Sequence, residues 1–253
     1  MAEIVRINSH DITDKFEMDV SSKIKRFWIG AGYPGNDQPQ RSYEECYLQI
    51  LGKVPVLLTA PHAVPHDRGE DKLKEEDVNT DLIVMELCKN MNAHGLIALK
   101  PLADPNKLSR PTRKTNPPVW KDTREVSFFL ETERVIREQK VEFLLDIHGM
   151  ADSYEDSAVV GTAGVKTKDS LAGELKVLLQ QNGVKAAINS TRGLDGTKRN
   201  FGGGKFVQNI SIPGLQLEIR RAYRTRGEIH KLCKMLSTFL QGSFKKKSLS
   251  DPV

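Results

Sequence analysis

The stretch FLLDIHGMAD, residues 143–152, decides how the chain is read. An apolar strand runs straight into Asp146 and His148, one residue apart, and then into Gly149, Met150, Ala151 and Asp152. Burying a charged group costs several kcal/mol unless a partner compensates it. The strand therefore either emerges into solvent at Asp146 or ends at a site.

Working outward, the pattern alternates. CYLQIL and VPVLLTA read as two strands joined by a short turn, and LIALKPL, VEFLLDI, SAVVGTAG, VKAAINST and GLQLEIR as further strands. EEDVNTDLIVMELCKNMNAHG has helical apolar spacing, acids in its first turn and Gly95 as its stop. TREVSFFLETERVIREQ, KDSLAGELKVLLQQNG (closed by Gly183) and GEIHKLCKMLSTFL read as helices. Strands alternating with helices predict an α/β fold, a sheet covered on both faces. Two long loops, LADPNKLSRPTRKTNPPVWKD and STRGLDGTKRNFGGGKF, are basic and rich in Gly or Pro, and loops of that length tend to carry function or disorder.

The 253 residues suffice for one α/β domain with a full core, so 1–253 is read as a single domain. Apolar residues at 38% and charged residues at 28% are ordinary for a soluble globular chain. No run of eighteen apolar residues predicts a membrane span, and the amino-terminal stretch lacks the apolar core of a signal peptide. A cytoplasmic location is the expectation. Cys46, Cys88 and Cys233 stand far apart among apolar neighbours, as buried free thiols of a reducing compartment would. The net charge is +5, and the tail 244–253 holds a run of three lysines. No aromatics interleave with those lysines, so the tail reads as a solvated flexible end and not as a nucleic-acid arm.

VPVLLTAPHAVPHDRG is a second apolar strand ending in a histidine, His62. Sites in open α/β sheets lie beyond the carboxyl ends of the strands. Two imidazoles there can converge on one metal ion, with a carboxylate from Glu75, Glu76 or Asp77 as third ligand. Two histidines, one carboxylate and an open position make a catalytic zinc pattern. A single strand-end histidine would more simply be a hydrogen-bonded structural residue. Glu218 interrupts the apolar strand LQLEI and shares a face with Gln216 and Arg220. It reads either as a general acid/base or as an ion-pair partner of Arg220 or Arg221. His66 reads as a loop histidine or a neighbour of the ligands, His94 as a cation at a helix end, and His230 as structural. No Gly-Lys-Ser/Thr follows FGGGKF at P-loop spacing, which argues against nucleotide binding.

The ordered set APHAV, EEDVNTDL, SRPTRKTNPP, LLDIHGM and LQLEIRRAY resembles the N-formylglutamate amidohydrolase family, related in fold to zinc carboxypeptidases and aspartoacylases. The resemblance covers roughly residues 55–225. It implies a phosphorylase/hydrolase-like, three-layer α/β/α sandwich around a mixed sheet. It implies one Zn²⁺ per chain on His62, His148 and Asp77, with Glu76 the alternative to Asp77, and Glu218 as the catalytic carboxylate. Asp146 would hold the other nitrogen of His148 or nearby backbone. Arg110 and Asn116 stand where the family binds a substrate carboxylate, with Arg113 a further candidate. Lys114 and Pro117 replace an acid and a second arginine of the family's pattern. The implied reaction is hydrolysis of a C–N amide bond in an N-acyl amino acid or a small carboxylate-bearing peptide, with no nucleic-acid or membrane partner. Two other readings stand beside it: a peptidoglycan or peptide amidase or carboxypeptidase-like enzyme, and an inactive scaffold that binds an acidic metabolite.

Overall fold

The computed structural model describes residues 3–20, 46–67, 74–100, 102–103, 127–162, 169–189, 191–192, 198–199 and 205–248. The strands are β1 (Glu3–Asn8), β2 (Cys46–Leu51), β3 (Val54–Ala60), β4 (His66–Asp67), β5 (Ala93–Ala98), β6 (Leu102–Ala103), β7 (Phe143–Met150), β8 (Ala158–Gly161), β9 (Ala186–Ile188), β10 (Thr191–Arg192), β11 (Lys198–Arg199) and β12 (Gly214–Arg220). Among the α-helices are α1 (Thr80–Met91), α2 (Ser127–Gln139), α3 (Asp169–Gln181), α4 (Lys205–Asn209) and α5 (Arg226–Ser248).

Eight strands form one mixed sheet in the order β1-β2-β5-β3-β7-β12-β8-β9. The four central strands β5, β3, β7 and β12 run parallel to one another. The flanking strands β2 and β8 run against them. β3, β7 and β12 are long, apolar and almost wholly buried, as strands covered on both faces must be. α1 and α3 each pack on α5, and α1 packs on β3, β5 and β7. Phe128 and Phe129 of α2 meet Phe206 of α4, and Phe128 also meets Tyr47 of β2 edge-on. The layers are helix, sheet, helix: the expected α/β/α sandwich. α2 shows its construction in sequence. Phe128, Thr132, Val135 and Ile136 are buried at helical spacing while Leu130 is 55% exposed. α1 is buried on nearly every side, because it is wedged between the sheet and α5.

Several elements depart from the sequence reading, each for a local reason. CYLQIL and VPVLLTA do not pair, because β5 lies between them. α1 begins at Thr80, so Glu75, Glu76 and Asp77 precede it instead of filling its first turn. Asn79, left-handed at φ 65°, breaks the chain there. Asn92, at φ 56°, ends α1, and Gly95 lies inside β5. His94 is therefore a buried strand residue. Its Nδ1 accepts the Gly52 N–H at 3.1 Å, and burial pushes its pKa down, the opposite of a helix-end cation. Gly183, at φ 80°, does follow α3 as expected. β7 runs on to Met150, so Asp146 and His148 lie within the strand and not past its end. α5 extends to Ser248, into the stretch read as a tail. The three cysteines are buried, and none is in a disulfide. Among the described residues, no helix is long and apolar enough to cross a membrane.

Candidate metal centre

The parallel direction of β3, β7 and β12 brings their carboxyl ends side by side. His62 follows β3 by two residues, His148 is near the end of β7, and Glu218 stands opposite His148 in the β12 register. Asp77 arrives from the loop ahead of α1. Its N–H donates to the His62 carbonyl at 2.7 Å, while its own carbonyl accepts from the Thr80 N–H and hydroxyl at 3.2 and 2.9 Å. That backbone is fixed on both sides before its side chain is considered.

His62 Nδ1, Asp77 Oδ2 and His148 Nδ1 form a small triangle, with edges of 3.0 Å between the two rings and 3.4 Å from each ring to the carboxylate. All three residues are buried, and they form a group whose ligand atoms converge. Zinc bonds of about 2.0–2.1 Å in a tetrahedron require donor-to-donor edges of roughly 3.3–3.4 Å. Two edges match and the third is a few tenths of an ångström short. The donor set of two imidazoles and one carboxylate suits zinc and leaves a fourth position open. Asp77 takes the acidic corner. Glu76 is half-buried and outside the cluster.

Behind the triangle runs a buried chain of hydrogen bonds. Thr59 Oγ1 donates to Asp146 Oδ1 at 2.6 Å, and His148 Nε2 donates to Asp146 Oδ2 at 2.7 Å. A carboxylate only accepts, so the proton belongs on Nε2 and Nδ1 is turned toward the triangle. Burial disfavours the charged His148 ring, but Asp146, followed by Asp77 and Glu218, outweighs it. The ring's pKa is held well above the ordinary histidine value. Burial likewise works against an ionised Asp77, and hydrogen bonds from His148 and His62 outweigh it, so its pKa lies well below the usual carboxylate range. Glu218 is different. Burial raises its pKa, with His148 opposing and the Asp77 charge reinforcing the rise.

Glu218 makes no ion pair with Arg220 or Arg221 among the described residues. Its Oε1 accepts the Gln216 side-chain N–H at 2.7 Å. His66, read from sequence as a loop histidine or a neighbour of the ligands, is the neighbour: it is fully buried, and its ring stacks on His62 with centroids 3.6 Å apart and planes within 3°. His230 is exposed on α5, with Nδ1 3.2 Å from Glu86 of α1. Arg110, Arg113 and Asn116 lie outside the described residues, as do Lys114 and Pro117. Sequence reasoning did not single out Thr59 or the His62–His66 stack. A lone threonine in a β-branched strand carries no signal, and a stack across a turn leaves none. Gln216 was visible as the residue sharing a face with Glu218.

The fold has solved relatives. No protein-family model matches the chain, and no curated protein matches it in sequence. An N-formylglutamate amidohydrolase from Ralstonia eutropha JMP134 superposes with a TM-score of 0.51 at 16% identity, over 76% of this chain and 94% of that one. A bacteriophage poly-gamma-glutamate hydrolase gives 0.50 at 16%, over 81% and 93%. A gene product of Agrobacterium tumefaciens gives 0.54 at 12%, over 78% and 93%. At such identities the likeness is one of fold, and two of these three neighbours are hydrolases by name.

Proposed function

We propose that the chain is a zinc-dependent hydrolase of a C–N amide bond in an N-acyl amino acid or a short carboxylate-bearing peptide. The observation that carries this reading is the buried triangle of His62, Asp77 and His148 with Glu218 registered beside it. A zinc ion there would polarise the substrate carbonyl and bring the pKa of a bound water to about 7. Asp146 holds the His148 ring with Nδ1 forward, and Thr59 holds Asp146. Gln216 fixes one Glu218 oxygen and leaves the other to work. A carboxylate with a raised pKa takes a proton from attacking water and returns it to the leaving amine within one turnover. The basic loop supplies Arg110, Asn116 and Arg113 for a substrate carboxylate. The fold shared with an N-formylglutamate amidohydrolase and a poly-gamma-glutamate hydrolase supports an acidic amide substrate.

The test has two parts. Purified protein never exposed to chelator is expected to carry about one zinc per chain. It is then screened for amine release against N-acyl amino acids, γ-glutamyl oligomers and peptidoglycan fragments. Zinc with release from the small acidic amides supports the reading. Release only from polymer or cell-wall fragments moves the substrate to the amidase alternative, and zinc without any release favours a binding scaffold. Protein free of any divalent metal removes the metal-hydrolase reading altogether.

A further inference from the structure

Arg224 is a buried cation, 5% exposed, in the short turn between β12 and α5, and the proposed chemistry makes no use of it. A lone guanidinium is expensive to bury, so its surroundings should account for it. Its Nε donates to the Ile219 carbonyl at the end of β12 at 3.1 Å, and its Nη1 donates to the Val78 carbonyl, the residue next to Asp77. In return, the Asn79 side chain donates to the Arg224 carbonyl at 2.7 Å. The guanidinium also lies against Gly149, the residue after His148. A β-carbon at position 149 would stand 2.5 Å from Arg224 Nη2 and 2.7 Å from Nη1, so any side chain there would displace the guanidinium. By strand alternation Gly149 points away from the face that carries Asp146 and His148. Arg224 thus binds, from behind, the three segments that bring Asp77, His148 and Glu218 together.

We infer that Arg224 is a positioning residue for the metal centre: its guanidinium, seated on Gly149, clamps the Val78 carbonyl to the end of β12 and so sets where the Asp77 carboxylate meets His62 and His148. This rests on the metal reading above and adds a residue to it. Asp77 is pinned to His62 through its own N–H, but the Val78–Asn79 side of the turn, with Asn79 in a left-handed conformation, is tied across to Arg224. Burial lowers the Arg224 pKa; Asp77, Glu218 and Asp152 offset part of that fall, and Arg221 adds to it, so the guanidinium is held there by its hydrogen bonds and its seat on Gly149. The same clamp explains the glycine after His148. The sequence shows a glycine there, and the structure shows that the space of its missing side chain is filled by guanidinium.

The experiment compares full-length wild type with Arg224→Ala, Arg224→Lys, Gly149→Ala and the Gly149→Ala/Arg224→Ala double variant. Zinc affinity is read by competition with a chromogenic chelator, and melting temperature is read on the metal-free forms. Arg224→Ala is expected to weaken zinc binding by about 10–100-fold, the usual effect of losing a group that orients ligands. Arg224→Lys should recover little of it, since an ammonium lacks the planar fork that reaches both carbonyls. Gly149→Ala, which keeps the arginine but pushes it off its seat, should weaken binding similarly. Its effect should nearly vanish in the Arg224→Ala background, where the space is open. Leu236→Ala, a cavity in the middle of α5, is the control: it should lower the melting temperature and leave zinc affinity unchanged. Wild-type zinc affinity in Arg224→Ala, or equal losses from Gly149→Ala in both backgrounds, would overturn the clamp while leaving the metal reading intact. If wild type itself binds no zinc, the metal reading falls and the clamp with it. Should Arg224→Ala not fold, Arg224→Lys and Gly149→Ala carry the same comparison.

Discussion

β7 and β12 lie side by side and carry the same device in opposite chemistry. On β7, Asp146 stands two residues before His148. On β12, Gln216 stands two residues before Glu218, and the register sets Asp146 against Gln216 and His148 against Glu218. Each front residue is held from behind by its strand mate, at 2.7 Å in both cases. The backing group differs in charge. A carboxylate behind an imidazole favours its ring N–H and turns the other nitrogen forward as a ligand. A second carboxylate behind Glu218 would repel it, and a neutral amide can donate to it without adding charge. One strand is thereby suited to hold a cation and its neighbour to move a proton.

The comparison breaks hardest at His148. His148→Ala should abolish stoichiometric zinc and activity together, because a three-donor site loses a donor; retained zinc in this variant would take His148 out of the ligand set. Glu218→Gln should keep zinc and lose about 10²–10⁴ in kcat, or roughly 3–5 kcal/mol of transition-state stabilisation, with KM little changed. A near-normal kcat would remove Glu218 from the chemistry. The same variant has a second readout. A carboxyl whose pKa is raised by folding contributes stability below its unfolded value and loses it as pH rises through the folded value. Metal-free Glu218→Gln should therefore melt higher than wild type at pH 8, with a smaller difference at pH 5. A lower melting point at both would mean that Glu218 is a structural partner.

Asp146→Asn sharpens the contrast with a smaller effect. Zinc affinity at high pH should fall about 10–100-fold. The proton on His148 competes with the ion, and Asp146 is the main group raising that ring's pKa. The variant's loss of zinc on acidification should therefore begin at a lower pH than in wild type. Isothermal titration across pH 5–8 measures both, and an unchanged midpoint would separate Asp146 from His148. Thr59→Val is the mildest. It deletes one hydrogen bond to Asp146, about 1 kcal/mol and some 2–4 °C in Tm for a chain of this size, with zinc still bound. A loss of zinc there would mean that Asp146 depends on Thr59 far more than a single bond implies.

What the sequence disclosed and what it hid follow one physical division. β12 was legible to its last residue because Leu215, Leu217 and Ile219 alternate with Gln216, Glu218 and Arg220 at the period of a strand, and α2 because its buried stripe repeats every turn. His62, His148 and Glu218 were visible as polar groups where apolar strands end. Asp77 was placed on a helix that starts three residues later, because a left-handed asparagine interrupts an otherwise helical run and composition does not distinguish it. The insertion of β5 between β2 and β3 depends on pairings that no local period encodes. The His62–His66 stack and the Arg224 seat on Gly149 are contacts between segments, and no spacing rule reports them. The carboxylate-binding candidates Arg110, Asn116 and Arg113 were argued from a loop outside the described residues.

The parallel run of β3, β7 and β12 also sets the order in which the protein can come into being. His62 and His148 are 86 residues apart in the chain, and Thr59 and Asp146 are 87. Contacts so distant close late, after the entropy of large loops has been overcome, and parallel pairings fold slowly for that reason. Glu218 joins only when β12 has docked against β7. A nascent chain therefore offers an ion no complete nest until nearly the whole sheet exists. In a zinc finger, by contrast, ligands close in sequence let the ion direct folding. If this site holds zinc, the ion would be loaded into a finished protein, so refolding from denaturant should proceed at the same rate with zinc or with chelator, and zinc should slow only the unfolding limb.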